Sequence, residues 1–107
     1  MDQKKNHFKI FYSNPALNDL ENIINYLNLH STSAANEFLN HLDKTANMLS
    51  QYPRIGNHVK IEKLRKAGYR FQVLKHRFLL FYTIDEEKQI AWIKRVLHCA
   101  QDIESQL

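Results

Sequence analysis

The sequence predicts an α+β domain: a helical hairpin packed on a four-stranded antiparallel sheet, in the order β-α-α-β-β-β. Three observations lead there. Apolar residues recur at three- and four-residue steps through two adjacent segments between residues 14 and 52, then give way to runs rich in aromatic and branched residues. Short links join the two helices to each other and the last three strands to one another, so helices and strands alike turn back on their neighbours. Two helical stripes and one sheet face must then bury each other. The chain has 107 residues with 44% hydrophobic and 24% charged, the size and balance of a single globular domain over residues 1–107.

Each element has a local reason. Phe8–Tyr12 alternates Phe8, Ile10 and Tyr12 with Lys9 and Phe11, a short strand. Asn14 is predicted as the cap of the first helix and Pro15 as its first residue, where a fixed φ and a missing N–H cost nothing. Leu17, Leu20, Ile24 and Leu27 form its stripe, widened by Ile23 and Tyr26, with an end near His30. Asp19 and Glu21 sit early, where the helix dipole favours negative charge. Ser31, Thr32 and Ser33 offer caps for a second helix with Phe38, Leu42, Thr45, Leu49 and Tyr52 on one side, joined by Leu39 and Ala46. Pro53 stops it.

Arg54–Lys66 is polar, with a turn signal at Gly56-Asn57, and reads as a loop holding at most an irregular strand or turn. Strands follow at Tyr69–Leu74, Arg77–Ile84 and Gln89–His98, with tips at Lys75-His76 and at Asp85–Lys88. Ala100–Leu107 suits a final helical turn. There is no internal repeat and no low-complexity segment.

The formal charge of +4 is unevenly spread. Residues 1–53 carry −1, whereas residues 54–82 hold eight Lys and Arg against Glu62 alone, a net of +7. Tyr69, Phe71, Phe78, Phe81 and Tyr82 interleave those cations. Basic groups beside aromatics suit a nucleic-acid surface or an acidic protein segment, and equally a solvated basic loop beside core aromatics. Residues 1–7 hold no apolar stretch of signal-peptide kind, and no run nears the ~20 apolar residues of a membrane span. The single cysteine, Cys99, excludes an intrachain disulfide and fits a reducing compartment. A cytoplasmic protein with no membrane partner is expected.

The familiar chemistry motifs are missing. There is no glycine-rich phosphate loop, no Cys-x-x-Cys and no His-Glu-x-x-His, so no cofactor, metal or small-molecule substrate is expected. Cleavage of RNA through its 2′-hydroxyl needs only a base, an acid and cations on the phosphate. Arg70, Arg77, Arg95 and His98 hold those group types. Arg95 and His98 near the end of an apolar strand make a candidate anion site, or else an edge arginine reaching to water and a histidine capping the strand.

Taken in order, these segments resemble the RelE/ParE superfamily of toxins. The resemblance rests on the opening Asn14-Pro15-Ala16-Leu17-Asn18-Asp19-Leu20-Glu21-Asn22-Ile23, on Phe38-Leu39 with Leu42, and on the Tyr52-Pro53-Arg54-Ile55-Gly56 break. Gly68-Tyr69-Arg70, Leu79–Asp85 and Arg95-Val96-Leu97-His98 with Asp102 complete it. It implies the toxin of a type II toxin–antitoxin pair, of the kind linked to growth inhibition and plasmid stabilization in bacteria, with a small antitoxin protein as partner. It further implies one of two activities. ParE-like members poison DNA gyrase and are not nucleases; RelE-like members are mRNA endonucleases that cut in the ribosome. The third strand, Phe78-Leu79-Leu80-Phe81-Tyr82, carries no cation, and the Leu97-His98-x-x-x-Asp102 ending is more similar to the ParE branch. Were the chain RelE-like, Arg70, Arg95 and His98 would be catalytic. Arg65, Lys75 and Arg77 are candidates for phosphate or partner binding under either branch. A non-toxic basic binding module is the third reading.

Overall fold

The computed structural model describes residues 7–107. Asp2, Lys4 and Lys5, counted above in the charge of the first half, lie outside the described residues. Strand β1 (Lys9–Tyr12) leads into two long helices, α1 (Asn14–His30) and α2 (Thr32–Gln51). After a 3₁₀ turn (Pro53–Ile55) come β2 (Asn57–His58), α3 (Glu62–Lys66) and β3 (Arg70–Leu74). A tight tip leads to β4 (Phe78–Asp85), then β5 (Ile90–His98) and α4 (Ile103–Gln106). The α+β class and the packing of the helical hairpin on the sheet are as the sequence predicts.

The sheet itself differs in two ways. It has five strands, ordered β1-β5-β4-β3-β2, because the polar run contributes a two-residue edge strand, β2. It is also mixed, because β1 runs parallel to β5. Short turns force antiparallel pairing only between consecutive strands, and no turn fixes the partner of β1.

The helix ends follow side-chain caps. Ser13, not Asn14, caps α1: its Oγ accepts from the Ala16 N–H at 3.1 Å. Ser31 closes α1 and opens α2, donating its N–H to the Leu27 carbonyl at 2.7 Å and accepting from Ala34 N at 3.2 Å. Asp19 and Glu21 lie beyond the first turn of α1, so neither serves the helix dipole as predicted. Leu17, Tyr26 and Tyr52 fall outside the core, while Ala16 and Ala35 fall inside it.

Both sheet faces are covered. The main core joins Leu20, Ile23, Leu27, Phe38, Leu42 and Leu49 of the helices to Leu74, Phe78, Leu80, Tyr82, Ile93 and Val96 of the sheet. A smaller cluster on the other face sets Val59 and Leu64 against Phe81 and Leu97, with Ile61 and Ile103 beside them. The segment read as a polar loop therefore supplies a lid for the second face. Its few apolar residues are too sparse to show a period. Burial on both faces explains the uninterrupted apolar run of β4. It also places Phe78, Phe81 and Tyr82 in the core, so these aromatics cannot stack on a nucleic-acid base.

Candidate functional site

Arg95 owes its position to a β-bulge. Phe81 pairs with Arg95, but Tyr82 pairs with Ile93, so β5 carries one extra residue. Strand β1 ends at the Tyr12–Ile93 pair, and beyond it the edge of β5 is served by α1. The Ser13 Oγ donates to the Lys94 carbonyl at 2.8 Å, and the Asp19 carboxylate accepts from Val96 N at 3.0 Å. That same carboxylate accepts from Arg95 Nε at 2.7 Å and Nη2 at 2.9 Å, a bidentate pair. Arg95 Nη1 donates to the Gln106 carbonyl at 3.0 Å. The hydrogen bond to Asp19 raises the guanidinium pKa above its ordinary value, against the opposing effect of burial. Arg95 thus ties α1, β5 and α4 together.

Arg70 is committed elsewhere. Its Nη1 donates to the carbonyls of Arg54 at 3.0 Å and Gly56 at 3.1 Å. Opposite it in register stands Tyr82, fully buried, whose hydroxyl donates to the Pro53 carbonyl at 2.6 Å and accepts from Gly56 N at 3.0 Å. Burial raises the Tyr82 pKa, while the Gly56 N–H and the Arg70 charge pull it down.

His98 lies at the other end of the sheet. It pairs with Phe78, whereas Arg70 pairs with Tyr82, four residues farther along β4. At a strand rise of ~3.3 Å per residue the separation along the strand is about 13 Å. Arg70, Arg95 and His98 therefore occupy three separate settings. What does gather around His98 is a cleft of about 730 Å³ between α1 and the β3–β4 tip, walled by Tyr26, His30, His76, Arg77, Phe78 and His98. The His98 ring stands edge-on to Phe78, with centroids 5.2 Å apart, and its Nδ1 accepts from Ala100 N at 3.1 Å. An accepting Nδ1 puts the proton of the neutral ring on Nε2.

The tip is strained and braced. His76 and Arg77 both have positive φ, 63° and 68°. Lys75 N donates to His41 Nδ1 at 3.1 Å, His76 Nε2 meets Glu37 Oε1 at 3.2 Å, and the Arg77 carbonyl accepts from Cys99 N at 2.8 Å. Lys75 and Arg77 are exposed at this tip, and Arg65 is exposed on α3. Only Arg77 of these three joins His98 in the cleft. Sequence reasoning missed Tyr26 and His30, since a helix stripe says nothing of the sheet end it will face. Among the described residues no cluster of three or more His, Cys, Asp or Glu could hold a metal ion. No helix among them is long and apolar enough to cross a membrane.

Residues 10–103 match the family model described as the ParE toxin of the type II toxin–antitoxin system parDE. The chain belongs to this toxin family. Three solved structures share the fold of this ParE-family chain. One, from the chromosomal ParDE system of P. aeruginosa, superposes with a TM-score of 0.67 at 16% identity, covering 88% of this chain and 98% of that one. Another, from the RelBE2 toxin–antitoxin complex of Mycobacterium tuberculosis, has a TM-score of 0.61 at 22% identity, over 94% and 100%. A mutant of the E. coli toxin RelE in the free state gives 0.64 at 14% identity, over 94% and 92%. No curated protein sequence matches the chain. Membership makes the chain the toxin half of a two-protein system, with a cognate antitoxin as its partner.

Proposed function

We propose that this toxin arrests growth by acting on DNA gyrase, and that its antitoxin prevents this by binding it. The observation that supports the reading is the dispersal of the nucleolytic set. Arg70 is spent on two loop carbonyls, Arg95 on Asp19 and Gln106, and His98 stands about 13 Å away along β4 from the level of Arg70. Metal-free RNA cleavage needs such groups convergent on one phosphate. A gyrase poison needs a binding surface instead. The test is supercoiling by purified gyrase with added toxin: inhibition is expected, and full activity at micromolar toxin would sink the reading. His98→Ala should leave that inhibition in place.

One observation favours the ribosome-dependent endonuclease as a second reading. His98, with its Nε2 proton, shares a cleft with Arg77, so an acid or base and a cation line one space. That reading expects codon-positioned cuts in translated mRNA, abolished by His98→Ala. A non-toxic binding module would instead permit normal growth under strong expression without antitoxin.

A further inference from the structure

The three-residue turn Pro53–Ile55 is held with more polar bonds than a surface connection needs. Two side chains from the sheet reach its backbone from inside. The Tyr82 hydroxyl bonds Pro53 and Gly56, and Arg70 bonds the carbonyls of Arg54 and Gly56. Gly56 admits nothing larger: a Cβ there would stand 2.3 Å from the Tyr82 hydroxyl oxygen. The backbone of the turn is thus fixed from within by a buried hydroxyl and from its edge by the half-buried Arg70.

Its own side chains face the other way. Tyr52 is 62% exposed, Ile55 is 50% exposed, and the Arg54 side chain is 59% exposed. Only Pro53 of the turn is buried. An aromatic ring, a branched aliphatic and a guanidinium, side by side on a rigid backbone, form the kind of group that carries protein binding energy. Rigidity lowers the ordering cost of association.

The charge around the turn narrows the partner. Arg70 and Arg54 make the setting positive, within the +7 stretch of residues 54–82. Yet Arg54 also pairs with Glu86 of the β4–β5 tip, on the surface. An ion pair so exposed is weak and can be exchanged for another carboxylate, whereas Ile55 and Tyr52 ask for an apolar pocket, which a phosphate backbone does not offer. We propose that Tyr52, Arg54 and Ile55 are the recognition turn through which the toxin grips its target, a folded protein whose surface offers an apolar pocket beside a carboxylate that takes Arg54 over from Glu86. The inference rests on the chain being a toxin with a protein target, and not on that target being gyrase. The turn lies at the Tyr82 end of β4, away from the cleft at Phe78, so the two surfaces can be varied separately.

The test uses the full chain carrying Tyr52→Ala with Ile55→Ser, at two positions half or more exposed, and separately Arg54→Glu. Growth arrest without antitoxin, antitoxin affinity and the urea midpoint are measured for each. Potency in growth arrest should fall ~30-fold or more, the scale of a binding hot spot. Antitoxin affinity should stay within about threefold, and the midpoint should fall only slightly, by the apolar area these two side chains bury. Unchanged potency would overturn the proposal. So would a parallel loss of antitoxin affinity, which would assign the turn to the antitoxin, or a wild-type chain that leaves growth untouched. Because the readout is growth, failure of the gyrase reading shows separately, as continued DNA synthesis in arrested cells.

Discussion

Replacing Asp19 by alanine removes the acceptor of three N–H groups at once: Arg95 Nε, Arg95 Nη2 and the backbone of Val96. The magnitude follows from burial. The two side chains are 11% and 23% exposed, so the pair is mostly but not wholly desolvated. Stripping one partner from a fully buried pair costs about 3–5 kcal/mol, and water reaching Arg95 lowers this. An orphaned Val96 N–H adds about 1–3 kcal/mol, since no neighbouring strand covers that edge of β5. We expect a net loss of about 3 kcal/mol, which for a domain of this size lowers Tm by about 12 °C. Arg95→Ala should cost a comparable amount, because it strands the more buried carboxylate of Asp19 with only its bond to Val96. The assay is urea unfolding followed by the fluorescence of Trp92, the only tryptophan, packed on Phe11 in β1. An Asp19→Ala cost below about 0.5 kcal/mol would refute the account of Arg95 as a clamp.

Three further outcomes are expected. Gly56→Ala should cost about 2 kcal/mol by driving a methyl into Tyr82, and Gly56→Ala combined with Tyr82→Phe should cost less than the sum, as a double-mutant cycle in urea would measure. Burial raises the pKa of Tyr82, and of Tyr12, where Asp43 adds to the rise; the unfolded chain then loses these protons first. Stability should accordingly hold below about pH 10 and fall as pH rises through it, with Tyr12→Phe flattening the decline in unfolding midpoints. Arg77→Gly should be neutral or stabilising by up to about 1 kcal/mol in thermal melts, because φ of 68° suits glycine and the carbonyl bond to Cys99 survives.

Much of the fold was legible because local signals and burial agreed. The stripes of α1 and α2, Pro53 as a stop and the β3–β4–β5 meander all follow from period and turn chemistry. What escaped was set by distant partners. The parallel seat of β1 on β5 has no turn to announce it. Val59 and Leu64 look like strays in a polar run until a second sheet face needs covering. Arg95 read as a candidate anion site because Asp19 lies 76 residues away, and only the bulge in β5 brings them together. Tyr82 and Phe81 read as aromatics among cations, and the structure buries both. The cleft around His98 drew one wall from α1, which no spacing within the last strand could reveal.

The gyrase assignment meets its sharpest test in cells lacking the antitoxin, by pulse labelling of DNA and protein synthesis after induction of the toxin. The account predicts that DNA synthesis falls first while translation continues, and that His98→Ala behaves like the wild type. Early loss of protein synthesis, with mRNA cut at codon positions and His98→Ala inert, would contradict it and make the cleft at His98 a catalytic site.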